Sequence, residues 1–219
     1  MDDGIILIDK PAGMTSFGVV ARVRRVLSKQ AGKKVKVGHT GTLDPFATGL
    51  MILCVGKECR NAAKYSKLDK VYEATIRLGQ TSSTGDPEGE IVETSDRQPS
   101  LEEINDSIKQ FIGEIKQTPP MYSAIKIGGQ RAYNLARQGR EIDMPERTVT
   151  VHSLELVDYD YPELKIRTHV SSGTYIRSLA EDIGSVLETG AYCIQLRRTA
   201  IAEWQVNQAQ VLAELGITD

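Results

Sequence analysis

Strand-like and helix-like segments alternate along this chain without the regular strand–helix–strand period of a parallel sheet. Short apolar runs and apolar–polar alternation indicate strands, whereas apolar residues recurring every three or four positions indicate helices. By these patterns we expect strands at residues 4–8, 71–78, 148–158, 163–171 and 191–201, and helices at residues 16–27, 101–111 and 178–187. We expect Ser16 to cap the first helix, and the run Ser-Leu-Glu-Glu at residues 100–103 to start the second with a capping box. This order predicts an α+β fold in which helices flank a mixed, mainly antiparallel sheet.

A turn-rich loop at residues 38–45, Gly-His-Thr-Gly-Thr-Leu-Asp-Pro, stands apart from these regular segments. Its glycines and its proline predict sharp turns of the backbone, and the residue before a proline is driven towards an extended conformation. Asp44 occupies that position, so its carboxylate can point into a cleft. The alternative is that Asp44 caps a helix or turn starting at Pro45, which is common for an Asp-Pro pair.

Tyrosine and arginine side chains elsewhere are further candidates for chemistry. Tyr72 and Tyr175 could stack on a base, although tyrosines at a strand or a helix start are more often part of the core. Arg177 could pair with a buried carboxylate and hold it ionised, or it could be a surface residue near a helix start. Arg197 and Arg198 point to successive faces of a strand, so we expect at least one to be exposed, for a phosphate contact or an ion pair.

Charge is unevenly distributed, although the net charge of −2 by itself argues weakly against a nucleic-acid partner. Residues 10–43 include eight basic residues and no Asp or Glu, whereas residues 86–106 include eight acidic residues against Arg97 alone. A local positive field can bind phosphates whatever the net charge. The basic region is therefore either a phosphate-binding surface or a solvated helix face, and charge alone does not decide between them.

Membrane, secreted and metal-binding classes are not indicated. No apolar run approaches the roughly 20 residues of a membrane helix, and the acidic N-terminus is unlike a signal peptide, so we expect a cytoplasmic protein. The three cysteines lack C-x-x-C spacing, which favours buried free thiols over disulfides or zinc. Because His39, His152 and His169 are not at metal-ligand spacing, we expect no metal.

The segment at residues 119–147 differs in character from its surroundings. It contains two adjacent prolines, the pair Gly128-Gly129 and a basic amphipathic stretch at residues 130–140. We interpret it as an excursion between two core elements.

Residues 38–50, Gly-His-Thr-Gly-Thr-Leu-Asp-Pro-Phe-Ala-Thr-Gly-Leu, resemble the signature of the TruB family, the tRNA pseudouridine-55 synthases. Four further segments are similar to the same family in the same order: Asp-Lys-Pro-Ala-Gly-Met-Thr-Ser at 9–16, Lys-Val-Tyr at 70–72, Pro-Pro-Met-Tyr-Ser-Ala-Ile-Lys at 119–126, and Gly-Thr-Tyr-Ile-Arg at 173–177 with Leu-Arg-Arg at 196–198. The segments span nearly the whole chain, and five in order are a very specific match.

The resemblance implies a role for each candidate residue. Asp44 matches the catalytic aspartate, Tyr72 the tyrosine that stacks on the target base, and Arg177 the arginine paired with the aspartate. His39 matches the histidine that fills the space left by the extruded nucleotide, and residues 119–147 resemble the RNA-clamping loop. Further substrate-binding residues are expected at Lys10, Tyr175, Leu196, Lys126 and Arg131.

The resemblance also implies an activity, namely isomerisation of the flipped-out uridine 55 in the T-loop of tRNA, by a monomer that needs no cofactor. Whether Asp44 adds covalently or gives a glycal is left open, and Tyr72 is a candidate for moving the C5 proton. Family members often continue into a C-terminal PUA domain, but here we expect one catalytic domain over residues 1–219. The alternatives are an RNA-binding or tRNA-chaperone protein on the same fold, or a synthase acting on another RNA.

Overall fold

A computed structural model describes residues 3–123, 125–138 and 143–217. The helices are α1 (Ser16–Ala31), α2 (Ala62–Ser66), α3 (Leu101–Lys109), α4 (Ala132–Arg137) and α5 (Ile176–Val186). The strands are β1 (Gly4–Lys10), β2 (Val37–His39), β3 (Thr48–Val55), β4 (Lys70–Leu78), β5 (Gln80–Ser82), β6 (Ile91–Glu93), β7 (Gly113–Gln117), β8 (Lys126–Ile127), β9 (Gln130–Arg131), β10 (Arg147–Asp160), β11 (Glu163–Val170), β12 (Ala191–Ile201) and β13 (Trp204–Gln205). Short 3-10 turns lie at Gly56–Arg60, Val206–Gln208 and Leu212–Leu215.

These elements divide into two compact units. The first unit contains the residues up to Tyr72 and those from Leu196 on, and the second contains Glu73–Gln195. In the first unit β3 is the central strand: β1 and β2 pair with it antiparallel, and β12 pairs with it parallel. Parallel and antiparallel pairs thus occur in one sheet, as the order of segments predicts.

The core of the first unit forms because the apolar faces of its elements meet. β3 is buried along nearly its whole length, as expected for a continuous apolar run. Leu50, Ile52 and Ile201 form a buried cluster against which Trp204 and Tyr65 pack. On α1 the buried face carries apolar residues at helical spacing: Val19, Val20, Val23 and Leu27.

A close approach of two backbones explains one glycine in the first unit. Gly49 has a φ of 105°, and a Cβ built on it would lie 2.2 Å from the carbonyl oxygen of Arg198. Only glycine combines this conformation with such a contact. Gly49 therefore lets β12 lie directly beside the first residues of β3.

The second unit is built on the strand order β4-β11-β10-β7. β10 pairs antiparallel with β11 on one side and with β7 on the other. Two small hairpins, β5–β6 and β8–β9, lie outside this sheet. Ser100 and Glu103 form the reciprocal capping box that starts α3, where the sequence predicts one.

The predicted α+β fold with a mixed sheet is confirmed, and a few local predictions are corrected. Thr15, and not Ser16, caps α1, because its side chain accepts a hydrogen bond from the amide of Gly18. α3 ends at Lys109 rather than near Phe111. The predicted burial of the cysteine side chains holds for Cys54 and Cys193, whereas Cys59 is only half-buried.

Among the described residues, no helix has both the length and the apolar character needed to cross a membrane.

Candidate active site

The loop that carries Asp44 is tied to the start of α1 in the first unit. The Ser16 hydroxyl accepts a hydrogen bond from the Leu43 amide at 2.8 Å and donates one to the Leu43 carbonyl at 2.8 Å. Ser16 is 3% exposed, so both bonds are shielded from water. The residue immediately before Asp44 is therefore fixed through both of its backbone polar groups.

The residue after Asp44 is fixed as well. The Pro45 carbonyl accepts hydrogen bonds from the Gly13 amide at 2.8 Å and from the Lys10 ammonium at 3.1 Å. Lys10 is fully buried, and its ammonium also donates to the carbonyls of Pro11 and Met14. Lys10 therefore binds the loop backbone, and the substrate contact predicted for it stays a prediction.

Arg198 supports the same loop from β12. Its side chain is 1% exposed, and it donates to the carbonyls of Leu50 at 2.7 Å, Gly41 at 3.3 Å and Thr42 at 3.5 Å. The neighbouring Arg197 is half-buried and forms a bidentate ion pair with Asp9, at 2.7 and 3.1 Å. Arg197 thus makes the structural ion pair that the sequence left as one of two alternatives.

Asp44 does not cap a helix, which was one form of the alternative considered for it. The chain from Thr40 to Ala47 contains no helix, and β3 follows at Thr48. The Asp44 carbonyl accepts from the Ala47 amide at 3.2 Å, which closes a single turn. The half-buried Asp44 is thus presented on a turn whose neighbouring residues are anchored.

The other predicted site residues of the first unit lie on three strands. Tyr72 is in β4 and Leu196 is in β12, and each is 8% exposed. His39 is half-buried in β2, where it pairs in register with Leu53 of β3.

Arg177 is a buried side chain of the second unit, not a surface residue. It is 3% exposed and pairs with the Asp86 carboxylate at 2.9 Å. Its guanidinium also donates to the Thr84 carbonyl at 2.7 Å and to the Tyr122 carbonyl at 2.8 Å. Ionic and neutral acceptors together fix the orientation of the planar group.

Asp86 is the partner that the sequence does not reveal. The uneven charge suggests that it belongs to an exposed acidic region, but it is 4% exposed. Its second oxygen accepts from the Thr84 hydroxyl at 2.6 Å and from the Glu88 amide at 3.0 Å. The available signal is the pattern Gly-Asp-Pro in a turn-rich segment, which repeats the Asp-Pro arrangement at residue 44.

Tyr175 connects the start of α5 to the 119–147 segment. The buried Gln117 side chain accepts from the Tyr175 amide at 2.7 Å and donates to its carbonyl at 3.0 Å. The Tyr175 side chain packs against a buried cluster within the segment that comprises Ile125, Ala132 and Met144. The excursion is thus packed against the helix that carries Arg177.

Lys126 and Arg131 are opposite each other in the β8–β9 hairpin of this segment. Their side chains lie outside the described part of the structure, as do Ala124 and residues 139–142.

Two histidines that are remote in sequence lie together in the second unit. The His152 ring on β10 and the His169 ring on β11 have centroids 4.6 Å apart and are tilted by 44°. Imidazoles are common metal ligands, and sequence spacing did not indicate that these two would meet.

Comparison with known proteins identifies the family. The family model described as TruB family pseudouridylate synthase (N terminal domain) matches residues 24–176. A tRNA pseudouridine synthase B of Dechloromonas aromatica (strain RCB) is 42% identical over 217 residues, which cover 99% of this chain and 71% of that protein. A tRNA pseudouridine synthase B of Thermobifida fusca (strain YX) is 45% identical over 228 residues, which cover 99% of this chain and 75% of that protein. The chain belongs to the TruB family of pseudouridylate synthases.

Solved structures show the same fold. A crystal structure of a Cbf5-Nop10-Gar1 complex matches with a TM-score of 0.74 and 29% identity, over 96% of this chain and 52% of that one. An H/ACA RNP bound to a substrate RNA containing 2'-deoxyuridine matches with a TM-score of 0.70 and 26% identity, over 99% and 56%. This chain spans about half the length of those two chains.

Proposed function

We propose that this protein converts uridine 55 in the T-loop of tRNA to pseudouridine. The observation that carries the proposal is the anchoring of the residues on either side of Asp44, in a chain that belongs to the TruB family. A carboxylate on a fixed turn is pre-oriented for attack or for proton removal, so little reorganisation is needed at the reacting atoms. The relatives in Dechloromonas and Thermobifida are named for tRNA.

In the proposed reaction the target nucleotide first leaves the stack, because its glycosidic bond is inaccessible inside a folded loop. Tyr72 stacks on the flipped base and offsets part of the lost stacking, roughly 1–3 kcal/mol. Asp44 then promotes cleavage of the bond between N1 and C1′. The uracil rotates and reattaches through C5, and a proton moves from C5 to N1. Substrate and product are isomers, so the chemistry consumes no cofactor.

Arg177 is proposed as the partner that holds the Asp44 carboxylate ionised. An opposite charge close to a carboxylate favours its charged form. The ion pair with Asp86 supports a defined placement of the Arg177 guanidinium, because it holds the buried planar group in a fixed orientation. Asp86 is therefore a positioning residue in the proposal, acting through Arg177.

The 119–147 segment is proposed to clamp the T-arm, with Lys126 and Arg131 contacting RNA. Tyr175 and Leu196 are proposed to line the pocket for the extruded base, and His39 to fill the space that the extruded nucleotide leaves. The packing of this segment against Tyr175 supports the proposal, since it connects the segment to the helix of Arg177. We further propose that the protein acts as a monomer in the cytoplasm.

The test is to incubate the protein with an unmodified tRNA transcript carrying tritium at C5 of uridine. We expect tritium release, and chemical mapping should place one pseudouridine at position 55. A transcript with cytidine at position 55 is the control and should release none. Product at another position would refute the T-loop assignment, and RNA binding without tritium release would favour the non-catalytic alternative.

A further inference from the structure

A pocket of about 550 Å³ opens in the first unit where the end of α1, the entry to β2 and the turn after β3 meet. Its described lining holds five basic side chains, from two separate parts of the sequence: Lys33, Lys34, Lys36, Lys57 and Arg60. Like charges gathered around one cavity repel one another. An anion that entered it would relieve this repulsion. We name this cavity the basic pocket.

Acidic side chains do little to neutralise the basic pocket. Asp3 is the acidic residue of the described lining, and its carboxylate accepts from the Lys57 amide at 2.8 Å and lies 3.7 Å from the Lys57 ammonium. Glu58, in the same turn, accepts instead from the Tyr65 hydroxyl at 2.8 Å and from Asn61 at 3.1 Å. Hydrogen bonds to these neighbours also lower the pKa of the Glu58 carboxyl. Positive charge therefore remains in excess at the pocket.

We propose that the basic pocket binds the phosphodiester backbone of the substrate RNA, outside the loop that enters the catalytic site. This proposal rests on the proposed function for the identity of the RNA. Asp3 illustrates how an anionic oxygen binds in the basic pocket, since its carboxylate contacts the backbone amide and the ammonium group of Lys57. Phosphate oxygens take the same donors, and Lys and Arg are the side chains that commonly neutralise them.

The size and position of the pocket favour a strand of backbone over a single free anion. The volume is of nucleotide size, and the cations are spread around it on separate segments, so several phosphates can be neutralised at once. Lys36 immediately precedes β2, and β2 leads into the loop that carries Asp44. Asp44 follows Lys36 by eight positions, so the two residues are at most roughly 28 Å apart. One RNA hairpin can span that distance.

The experiment compares two full-length variants with equal charge change. K33Q/K34Q/K57Q removes three cations of the pocket, and K109Q/K116Q/K165Q removes three exposed lysines of the second unit. For K33Q/K34Q/K57Q we expect the KM for tRNA to rise about tenfold and kcat at saturating tRNA to stay unchanged. The slope of log KM against log salt should fall by about 2–3, since each lost phosphate contact removes about 0.7–0.9. The control should match the wild type in both quantities.

The two proposals fail in different ways. If the wild-type protein forms no pseudouridine in any tRNA, the proposed function is wrong. If the wild type forms pseudouridine and K33Q/K34Q/K57Q retains its KM and salt slope, the basic pocket is not an RNA site. An equal rise of KM in the control would also overturn the inference, because total charge and not the pocket would then explain the loss. Circular dichroism checks that both variants are folded.

Discussion

Asp44 in the first unit and Arg177 in the second are held in place by different means. Around Asp44 the structure fixes the backbone of the adjacent residues: Ser16 binds both polar groups of Leu43, and the Lys10 ammonium binds the carbonyl of Pro45. Around Arg177 it fixes the side chain itself, through the Asp86 carboxylate. One functional group is presented by an anchored turn, and the other is clamped directly.

This difference predicts how substitutions near Asp44 and near Arg177 affect activity and stability. A turn anchored at several points loses precision gradually as single hydrogen bonds are removed, because each is worth roughly 1 kcal/mol. A buried ion pair loses much more when one partner is removed, because the remaining charge is left uncompensated. Substitutions around Asp44 and around Arg177 should therefore differ in their balance between lost activity and lost stability.

The largest effect on activity is expected for Asp44→Asn. The amide is nearly isosteric with the carboxylate but cannot act as nucleophile or base, so kcat should fall at least about 10³-fold. Since the anchors of the turn bind neighbouring residues, the melting temperature and the Kd for tRNA should stay close to those of the wild type. Turnover within tenfold of wild type in a tritium-release assay would refute the role of Asp44.

Asp86→Asn should lose both stability and activity, in contrast to Asp44→Asn. It removes the carboxylate charge of the buried Arg177–Asp86 ion pair, so the free energy of unfolding should fall by about 3 kcal/mol. The kcat should fall at least about tenfold with little change in KM, because a misplaced guanidinium affects the reacting centre more than binding. Urea titration and steady-state kinetics measure the two effects.

Asp106→Asn is the matched control for Asp86→Asn. Asp106 pairs with Lys109 at 3.0 Å, but its side chain is 64% exposed, so the loss should be within about 0.5 kcal/mol. If Asp86→Asn were as mild as this control, the two carbonyl contacts would be sufficient to hold Arg177.

Ser16→Ala tests the anchoring of the Asp44 turn at one point. It removes both hydrogen bonds to Leu43, which should lower the free energy of unfolding by about 1–2 kcal/mol. The kcat should fall while the KM is maintained, since Asp44 is then less precisely placed. Ser66→Ala is the control, because the exposed Ser66 hydroxyl also donates to a carbonyl, that of Ala63. An unchanged kcat in Ser16→Ala would show that the other anchors suffice.

The smallest expected effect is the pH dependence of the free energy of unfolding that a buried lysine causes. Lys70 resembles Lys10, since it is 7% exposed and donates to the carbonyls of Ser66 and Leu68. Burial, with a further contribution from the Arg198 charge, lowers its pKa from 10.5 to about 8. Below about pH 8 the Lys70 amine is charged in the folded state, so the desolvation penalty of this charge lowers the free energy of unfolding in full. Between about pH 8 and 10.5 the folded state releases the proton first, so the stability that depends on Lys70 rises with pH.

Comparison with Lys70→Met isolates this effect from all other titrations. From pH 7.5 to pH 9 the free energy of unfolding of the wild type should increase by about 1 kcal/mol relative to the variant. A constant difference between the two proteins across this range would show that burial does not perturb the Lys70 amine.

Local signals in the sequence were sufficient for much of the fold. Apolar periodicity placed the long strands and α5, and the Ser-Leu-Glu-Glu pattern marked the start of α3, because these features depend on residues a few positions apart. The predicted cap of α1 was wrong, because two adjacent hydroxyl residues, Thr15 and Ser16, could each have capped this helix. In the structure Thr15 caps the helix, and the Ser16 hydroxyl binds the loop that carries Asp44.

The sequence by itself determined the family, the fold class and the candidate carboxylate on the 38–45 loop, since contiguous sequence motifs indicate each of them. Tertiary structure decided how the site is held. Asp86 and Arg177 are 91 positions apart, and Arg198 reaches Gly41 across 157 positions. No local pattern records which carboxylate a buried arginine meets, or that a fully buried lysine binds carbonyls. Such partners are selected because a buried charge must be compensated by whatever groups the fold brings within hydrogen-bonding distance.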